Sequence, residues 1–275
     1  FLGEYSWSVV IASLVLAFCV AAVLIGGVKR IASVSQIIVP FMAVIYIVFV
    51  LVLVVCNITA VPAAFATIVK AAFSPKAITG GAVGSFLVAM QKGVARGIFS
   101  NEAGLGSAPI AAAAAQTKEP VRQGLVSMTG TFIDTIVICT LTGLSIVLTG
   151  AWQVDGLEGV QVTTYAFQNG LPLPKELSAF VLMLCLVFFA FTTILGWDYY
   201  SERCLEYLSG GRMKYVKVYR WIYILAVFIG PYMTVSAVWT IADIFNGLMA
   251  LPNMIALFAL SGLVVKETRH FFERH

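Results

Sequence analysis

Four polar stretches interrupt the long apolar runs of this sequence, and they hold the side chains best able to bind a ligand. The first is 97–107, GIFSNEAGLGS, where Ser100, Asn101 and Glu102 stand among glycines such as Gly104. Glycine permits an irregular backbone, so the stretch predicts a broken helix. A break frees carbonyls on one half-helix, which attract cations, and amides on the other, which attract carboxylates. The stretch therefore predicts a site for a zwitterion, or else a kink used only for packing.

The second stretch contains the adjacent threonines Thr192 and Thr193, followed by Trp197. Two hydroxyl groups, together with nearby carbonyls, can replace the water around a small hard cation such as sodium. The alternative is that each hydroxyl bonds to a carbonyl of its own helix. Trp197 either walls a ligand site or lies in the interfacial aromatic belt.

The third stretch surrounds Asp134, an acidic residue well inside an apolar run. A central acidic residue costs roughly 2.5 to 3.5 kcal/mol on translocon scales, so it needs a partner or a function. Lys92 and Arg96 are the nearest partners by depth, and a direct role in ion coupling is the alternative. In the last apolar run Asp243, near the outer end, can simply be hydrated. The polar residues and proline of this fourth stretch are Asp243, Asn246, Pro252 and Asn253.

Composition places these stretches in a membrane. The 275 residues are 60% hydrophobic and 11% charged, with a mean hydropathy of +0.97, whereas soluble domains carry about 25% charged residues. A spanning helix needs about 20 mainly apolar residues. The sequence therefore predicts an all-α membrane protein, a helical bundle of about seven transmembrane segments. Six of them are simple spans, at 7–27, 33–56, 123–150, 177–199, 216–237 and 239–265.

The seventh segment, 83–116, is too long for a straight span. It would form a helix about 51 Å long, whereas the hydrocarbon core is only about 30 Å thick. Because its centre is the polar, glycine-rich stretch, we predict two half-helices. Residues 60–73, between Pro62 and Pro75, predict a shorter interfacial or re-entrant helix.

Basic residues fall mainly in the loops on one side of the predicted membrane. The positive-inside rule makes that side cytoplasmic. The chain then begins outside, the loop 151–176 is external, and His275 lies inside. The basic cluster 203–220 is interpreted as a topology signal rather than a lipid or nucleic-acid site. The external basic residues are Lys70, Lys76 and Lys175.

The sequence predicts neither an enzyme nor a bound cofactor. The five cysteines form no CxxC pair and are interpreted as small packing residues. The only histidines, His270 and His275, fall in the predicted cytoplasmic tail, so we expect no catalytic residues. The chain starts at Phe1 and soon enters a span, which we interpret as the C-terminal part of a longer protein.

Three motifs carry a family resemblance. The stretch 93–109, GVARGIFSNEAGLGSAP, closely resembles the signature of the alanine or glycine:cation symporter family. Two further stretches are similar to that family, 192–200 (TTILGWDYY) with 202–207 (ERCLEY), and 243–253 (DIFNGLMALPN). The similarity extends over the whole chain.

The resemblance implies a LeuT-type fold, in which two inverted repeats of five helices each begin with a broken helix. The resemblance further implies that this chain lacks the N-terminal part of that fold. Residues 1–56 resemble the end of the first repeat, and 57–82 an external loop with an interfacial helix. Residues 83–265 resemble the second repeat, and 266–275 form a cytoplasmic tail.

The same resemblance implies a function and a site. The function is sodium-coupled import of alanine or glycine by alternating access, across a bacterial or archaeal plasma membrane, with the amino acid, sodium and the lipid bilayer as partners and no nucleic acid. No cofactor is implied, and sodium is co-transported. The implied substrate-binding residues are Phe99, Ser100, Asn101, Gly104 and Trp197, and the implied sodium ligands are Thr192 and Thr193.

Several alternatives stay open. The choice between alanine and glycine, the preferred enantiomer and the stoichiometry are undecided by the sequence. A related symporter could carry another small amino acid, or use protons through Glu102 or Asp134. Outside this class, a channel or a membrane-embedded enzyme fits the composition, although an enzyme would need a catalytic constellation that the sequence does not offer.

Overall fold

The computed structural model describes residues 6–72 and 82–274, and these residues form helices joined by short turns. The prediction of an all-α membrane protein is confirmed, because five of the helices are long and apolar enough to cross a membrane. The helices are α1 (Trp7–Leu24), α2 (Gly27–Cys56), α3 (Val61–Ala72), α4 (Ala82–Asn101), α5 (Ala108–Ala112), α6 (Pro120–Phe132), α7 (Thr140–Leu148), α8 (Val160–Gly170), α9 (Lys175–Leu208), α10 (Met213–Ile229) and α11 (Val235–Arg274).

Large apolar side chains cover the outward faces of the long helices. On α11, which has no buried residue, Phe258 is 76% exposed and Ile255 is 72% exposed. Exposed apolar surface on this scale is unfavourable in water and typical of helices that face lipid.

The predicted break in 83–116 is confirmed. Helix α4 ends at Asn101 and α5 begins at Ala108. Between them Glu102 has φ 56° and both Gly104 and Gly106 have φ 84°, values in the left-handed region that favours glycine. The second half is shorter than predicted, since α5 has only 5 residues.

Three further elements differ from the sequence prediction or refine it. The loop 151–176 contains helix α8, and the predicted span 123–150 contains a π-helix, Ile133–Cys139, between α6 and α7. Helix α11 continues through the predicted tail as far as Arg274. The short helix predicted at 60–73 is present as α3, its position in the membrane stays a prediction, and the rest of the loop, 73–81, lies outside the described residues.

The chain divides into two compact units. Unit 1 comprises Phe1–Phe41, Gly104–Gln123 and Val187–His275, and unit 2 comprises Met42–Ala103 and Gly124–Leu186. The core of unit 1 is formed where α1 packs on α10 and on the second half of α9. Its buried members are Val20, Leu24, Ile31 and Leu195.

The core of unit 2 explains why α8 forms at all. Phe167 of α8 is fully buried and stacks on Tyr46, with ring centroids 5.9 Å apart. At the end of α8, Asn57 Nδ2 donates a hydrogen bond to the Gly170 carbonyl at 3.0 Å. A Cβ at Gly170 would lie 2.7 Å from Leu53, so only glycine allows this close approach. Tertiary packing therefore holds α8 in place.

Candidate functional site

Two polar side chains at the end of α4 bind the π-helix of unit 2. Ser100 Oγ donates to Asp134 Oδ1 and Oδ2 at 2.9 and 2.8 Å. Asn101 Nδ2 donates to Thr135 Oγ1 at 2.9 Å, and its Oδ1 accepts the Ala103 amide at 2.9 Å. Asn101 therefore satisfies a backbone amide freed by the break and also fixes the helix end.

The π-helix brings Asp134 to this end of α4. Single-turn π-segments inside α-helices occur frequently at functional sites. Asp134 accepts hydrogen bonds from the Ser100 hydroxyl and, at 3.5 Å, from the Thr135 hydroxyl, and its pairing with Lys92 or Arg96 stays a prediction. The Arg96 guanidinium lies over the Phe99 ring, 5.9 Å from its centroid. A half-buried carboxylate, two hydroxyls and an amide thus converge beside the break.

The second part of the break contacts the last helix of unit 1. Asn253 Nδ2 donates to the Gly104 carbonyl at 3.0 Å. A Cβ on Gly106 would lie 3.2 Å from Asn253, and Leu105 is buried. This contact joins two of the four polar stretches, and it holds the irregular backbone in one conformation.

The two threonines of α9 have different surroundings. Thr192 is buried, and its hydroxyl donates to the carbonyls of Phe188 at 2.9 Å and Phe189 at 3.2 Å. Thr193 is exposed within unit 1 and donates to Phe189 at 2.8 Å. Each hydroxyl thus forms the intrahelical bond that was the alternative to sodium binding. Since a hydroxyl has one hydrogen and two lone pairs, both oxygens keep acceptor capacity for a cation.

Trp197 lies one turn further along α9 and is half-buried. Its ring meets Tyr200 edge-on, with centroids 5.7 Å apart and planes at 76°. The two interpretations of Trp197, as a ligand wall and as a belt residue, both remain predictions.

The implied site residues belong to different units. Phe99, Ser100 and Asn101 lie in unit 2, and Gly104, Thr192, Thr193 and Trp197 lie in unit 1. That they enclose one substrate stays a prediction. Within the part of the chain that the structure describes, no group of three or more His, Cys, Asp or Glu side chains could hold a metal ion.

Helix α9 also carries a buried ionic cluster that was not predicted from the sequence. Asp198 and Glu202 of α9 are buried, and Arg220 of α10 pairs with Glu202. The sequence feature that indicates this cluster is the spacing of Asp198 and Glu202, two acidic residues at i and i+4 directly after an apolar run.

Several apolar helices of membrane length, together with one helix broken at a polar, glycine-rich centre, are the features from which many membrane transporters build their binding sites. The profile of the sodium:alanine symporter family matches residues 1–275, and the chain belongs to that family. That family is one of sodium:alanine symporters, which agrees with the prediction of a transporter rather than an enzyme.

Three relatives show how the family extends. The chain is 48% identical over 266 residues to the sodium/alanine symporter of Methanococcus maripaludis, covering 96% of this chain and 57% of the relative. It is 38% identical to an amino-acid carrier protein of Bacillus subtilis, over 98% of this chain and 56% of that relative. It is 35% identical to the sodium/proton-dependent alanine carrier protein of Bacillus sp. strain PS3, over 86% of this chain and 55% of that relative. The chain therefore spans about half the length of the curated relatives it matches.

Proposed function

We propose that the full-length protein containing this chain imports alanine or glycine together with sodium by alternating access. In this mechanism sodium and the amino acid together stabilise a closed state, and both leave on the inner side. The names of the relatives, which include a sodium/alanine symporter, support this assignment of substrate and ion.

The observation that carries the proposal is the break between α4 and α5. The helix stops at Asn101, two glycines follow with positive φ, and a carboxylate and hydroxyls converge beside the stop. Freed carbonyls and amides are tolerated at membrane depth only where they line a cavity or are buried in protein. Together they offer complementary charge to the ammonium and carboxylate groups of an amino acid.

Sodium coupling is assigned to Thr192 and Thr193. Their hydrogens point to carbonyls of their own helix, so their oxygens present lone pairs. A small hard cation prefers oxygen ligands, and adjacent hydroxyls on one helix can supply two of them. The remaining sodium ligands would come from other parts of the full-length protein.

The selection of substrates by size is assigned to Phe99 and Trp197, which would form walls of the pocket. Alanine differs from glycine by one methyl group, and such a difference in an apolar pocket is worth only about 1–3 kcal/mol. Selection by volume therefore fits a site that accepts both and excludes larger side chains. In the membrane the C-terminus is assigned to the cytoplasmic side, because the basic loops lie on that side.

Proton coupling is a second candidate. The observation that favours it is the half-buried Asp134 beside the break, whose carboxylate accepts both bonds from Ser100. The name of the strain PS3 relative, a sodium/proton-dependent alanine carrier, agrees with it.

The experiment is uptake of radiolabelled alanine and glycine by proteoliposomes of the full-length protein. Under an inward sodium gradient we expect accumulation of both above their equilibrium level, and none when potassium replaces sodium. A proton ionophore should leave this accumulation unchanged. Uptake driven by a proton gradient in the absence of sodium would favour the second candidate instead.

A further inference from the structure

The second half of α9 buries two acidic side chains one turn apart. In unit 1, Asp198 is 0% exposed and Glu202 is 1% exposed. Burying a charged carboxylate is very costly unless the charge is paired and hydrogen-bonded. The partners of each carboxyl therefore decide which of them can be ionised.

Glu202 has a complete partner. Arg220 of α10 donates from Nε to Glu202 Oε1 at 2.6 Å and from Nη2 to Oε2 at 2.9 Å. Such a two-point ionic hydrogen bond is among the strongest available to a carboxylate. Glu202 and Arg220 thus form a pair with no net charge, and the guanidinium is committed to it.

Asp198 has no comparable partner. Both of its carboxyl oxygens are buried and accept no hydrogen bond. Its charged neighbours are the Glu202 carboxylate and the Arg220 guanidinium, and α10 also presents the phenols of Tyr219 and Tyr223 to it.

These neighbours leave Asp198 without a hydrogen-bond donor. The Tyr223 hydroxyl donates elsewhere, to the Ile194 carbonyl at 2.8 Å, and Tyr219 lies beside Ser201. From α1, Val20 and Leu24 pack on the adjacent turn of α9 at Leu195 and supply only apolar surface.

The charges of Asp198, Glu202 and Arg220 indicate which carboxyl group holds a proton. Two ionised carboxylates and one guanidinium would leave one buried negative charge with no donor to stabilise it. Adjacent buried carboxyls avoid this state by keeping one proton between them. Because Arg220 holds Glu202 in its ionised form, the proton belongs to Asp198.

We propose that Asp198 is a proton-binding site, a carboxyl group that is uncharged at neutral pH and donates its O–H to the Glu202 carboxylate. Releasing that proton to water changes the charge of the cluster Asp198–Glu202–Arg220 from zero to minus one. The assignment concerns unit 1 alone and does not depend on what is transported.

A link to sodium follows if the proposed function holds. Asp198 lies six positions after Thr192, which is about 9 Å along the helix axis. A negative charge at Asp198 would attract a cation at Thr192 and Thr193, so proton release should strengthen sodium binding. Linkage is reciprocal, so bound sodium should also favour release of the proton.

The direct test is infrared spectroscopy of the purified full-length protein in lipid. At neutral pH we expect a carbonyl stretch from a protonated buried carboxyl, lost in Asp198→Asn and kept in the control Asp155→Asn, which changes an exposed acid. Because an amide matches an uncharged carboxyl in size, Asp198→Asn should fold as stably as wild type. An unchanged band, or a variant that cannot fold, would overturn the proton site.

The link to sodium is tested separately by alanine uptake over a pH series. In wild type the sodium concentration for half-maximal uptake should fall as pH rises, by on the order of tenfold, and in Asp198→Asn it should stay flat and high. The same pH dependence in both proteins would overturn the link. If uptake proves independent of sodium while Asp198→Asn still removes the infrared band, the proposed function fails and the proton site stands.

Discussion

Individual hydroxyl groups carry the proposed coupling to sodium. We predict that Thr192→Val and Thr193→Val each raise the sodium concentration needed for half-maximal alanine uptake, because each removes one oxygen ligand and keeps the side-chain shape. The double variant should show the larger rise, measured by uptake in proteoliposomes of the full-length protein.

Thr240 provides a matched control for the threonines. Its hydroxyl also donates to the carbonyl four residues earlier, Ser236, at 2.9 Å, but on α11. Thr240→Val should leave the sodium dependence at the wild-type value. If the double variant of Thr192 and Thr193 behaved like this control while folded, the sodium assignment would be wrong.

Trp197 is the residue that should set the size of the substrate. Packed aromatic walls give way little, so Trp197→Leu should enlarge the pocket, admit valine or leucine as competitors, and weaken alanine binding. Competition assays measure this, with thermal stability recorded alongside to verify folding. A competition profile identical to wild type would place Trp197 in the interfacial belt.

At the scale of elements, the broken helix depends on glycines whose backbone conformation would be strained by a side chain. Gly104→Ala should lower the free energy of unfolding by about 1–2 kcal/mol, because φ is 84° there. Gly106→Ala should cost more, since its new Cβ would also press on Asn253 at 3.2 Å. Thermal unfolding in detergent measures both.

Gly97 is the control for these glycines. It lies inside α4 with nothing within 4 Å of a Cβ, and alanine favours a helix interior by roughly 0.5–1 kcal/mol over glycine. Gly97→Ala should therefore keep or raise stability. Equal losses at Gly97 and Gly104 would contradict the account of the break.

The elements that the sequence predicts well are those whose cause is local. The break at 102–107 follows from glycines and from a segment too long for the bilayer, and the long spans follow from apolar runs. Helix α8 was missed because it is short, contains β-branched residues and is held by burial of Phe167 against Tyr46. The π-helix at Ile133–Cys139 has no local sequence signal and contacts the end of α4.

The polar contacts of the candidate site also differ in whether their cause is local. That Ser100 and Asn101 form hydrogen bonds could be expected, because polar residues beside a break need partners. Their actual partners, Asp134 and Thr135, depend on how α4 packs against the π-helix. The pairing of Glu202 with Arg220 joins two helices, which one sequence with no tertiary contacts does not reveal.

At the scale of the whole molecule, loop charge predicts the orientation in the membrane. In the full-length protein, a cysteine replacing Asp155 should react with a membrane-impermeant maleimide in intact cells, because 151–176 is predicted to be external. A cysteine replacing Glu273 should react only after permeabilisation, because the basic end of the chain is predicted to be cytoplasmic. The parent protein has the five cysteines of this chain, and any others of the full-length protein, replaced. The reverse labelling pattern would contradict the predicted orientation.

The proposed function requires that sodium and the amino acid enter together, and the entry of radioactive sodium measures this coupling. Proteoliposomes of the full-length protein receive external alanine or glycine with no imposed sodium gradient. Either amino acid should stimulate sodium entry in a fixed ratio to its own entry, and Thr192→Val combined with Thr193→Val should weaken this stimulation at low sodium. Alanine entry accompanied by no sodium entry would contradict the account.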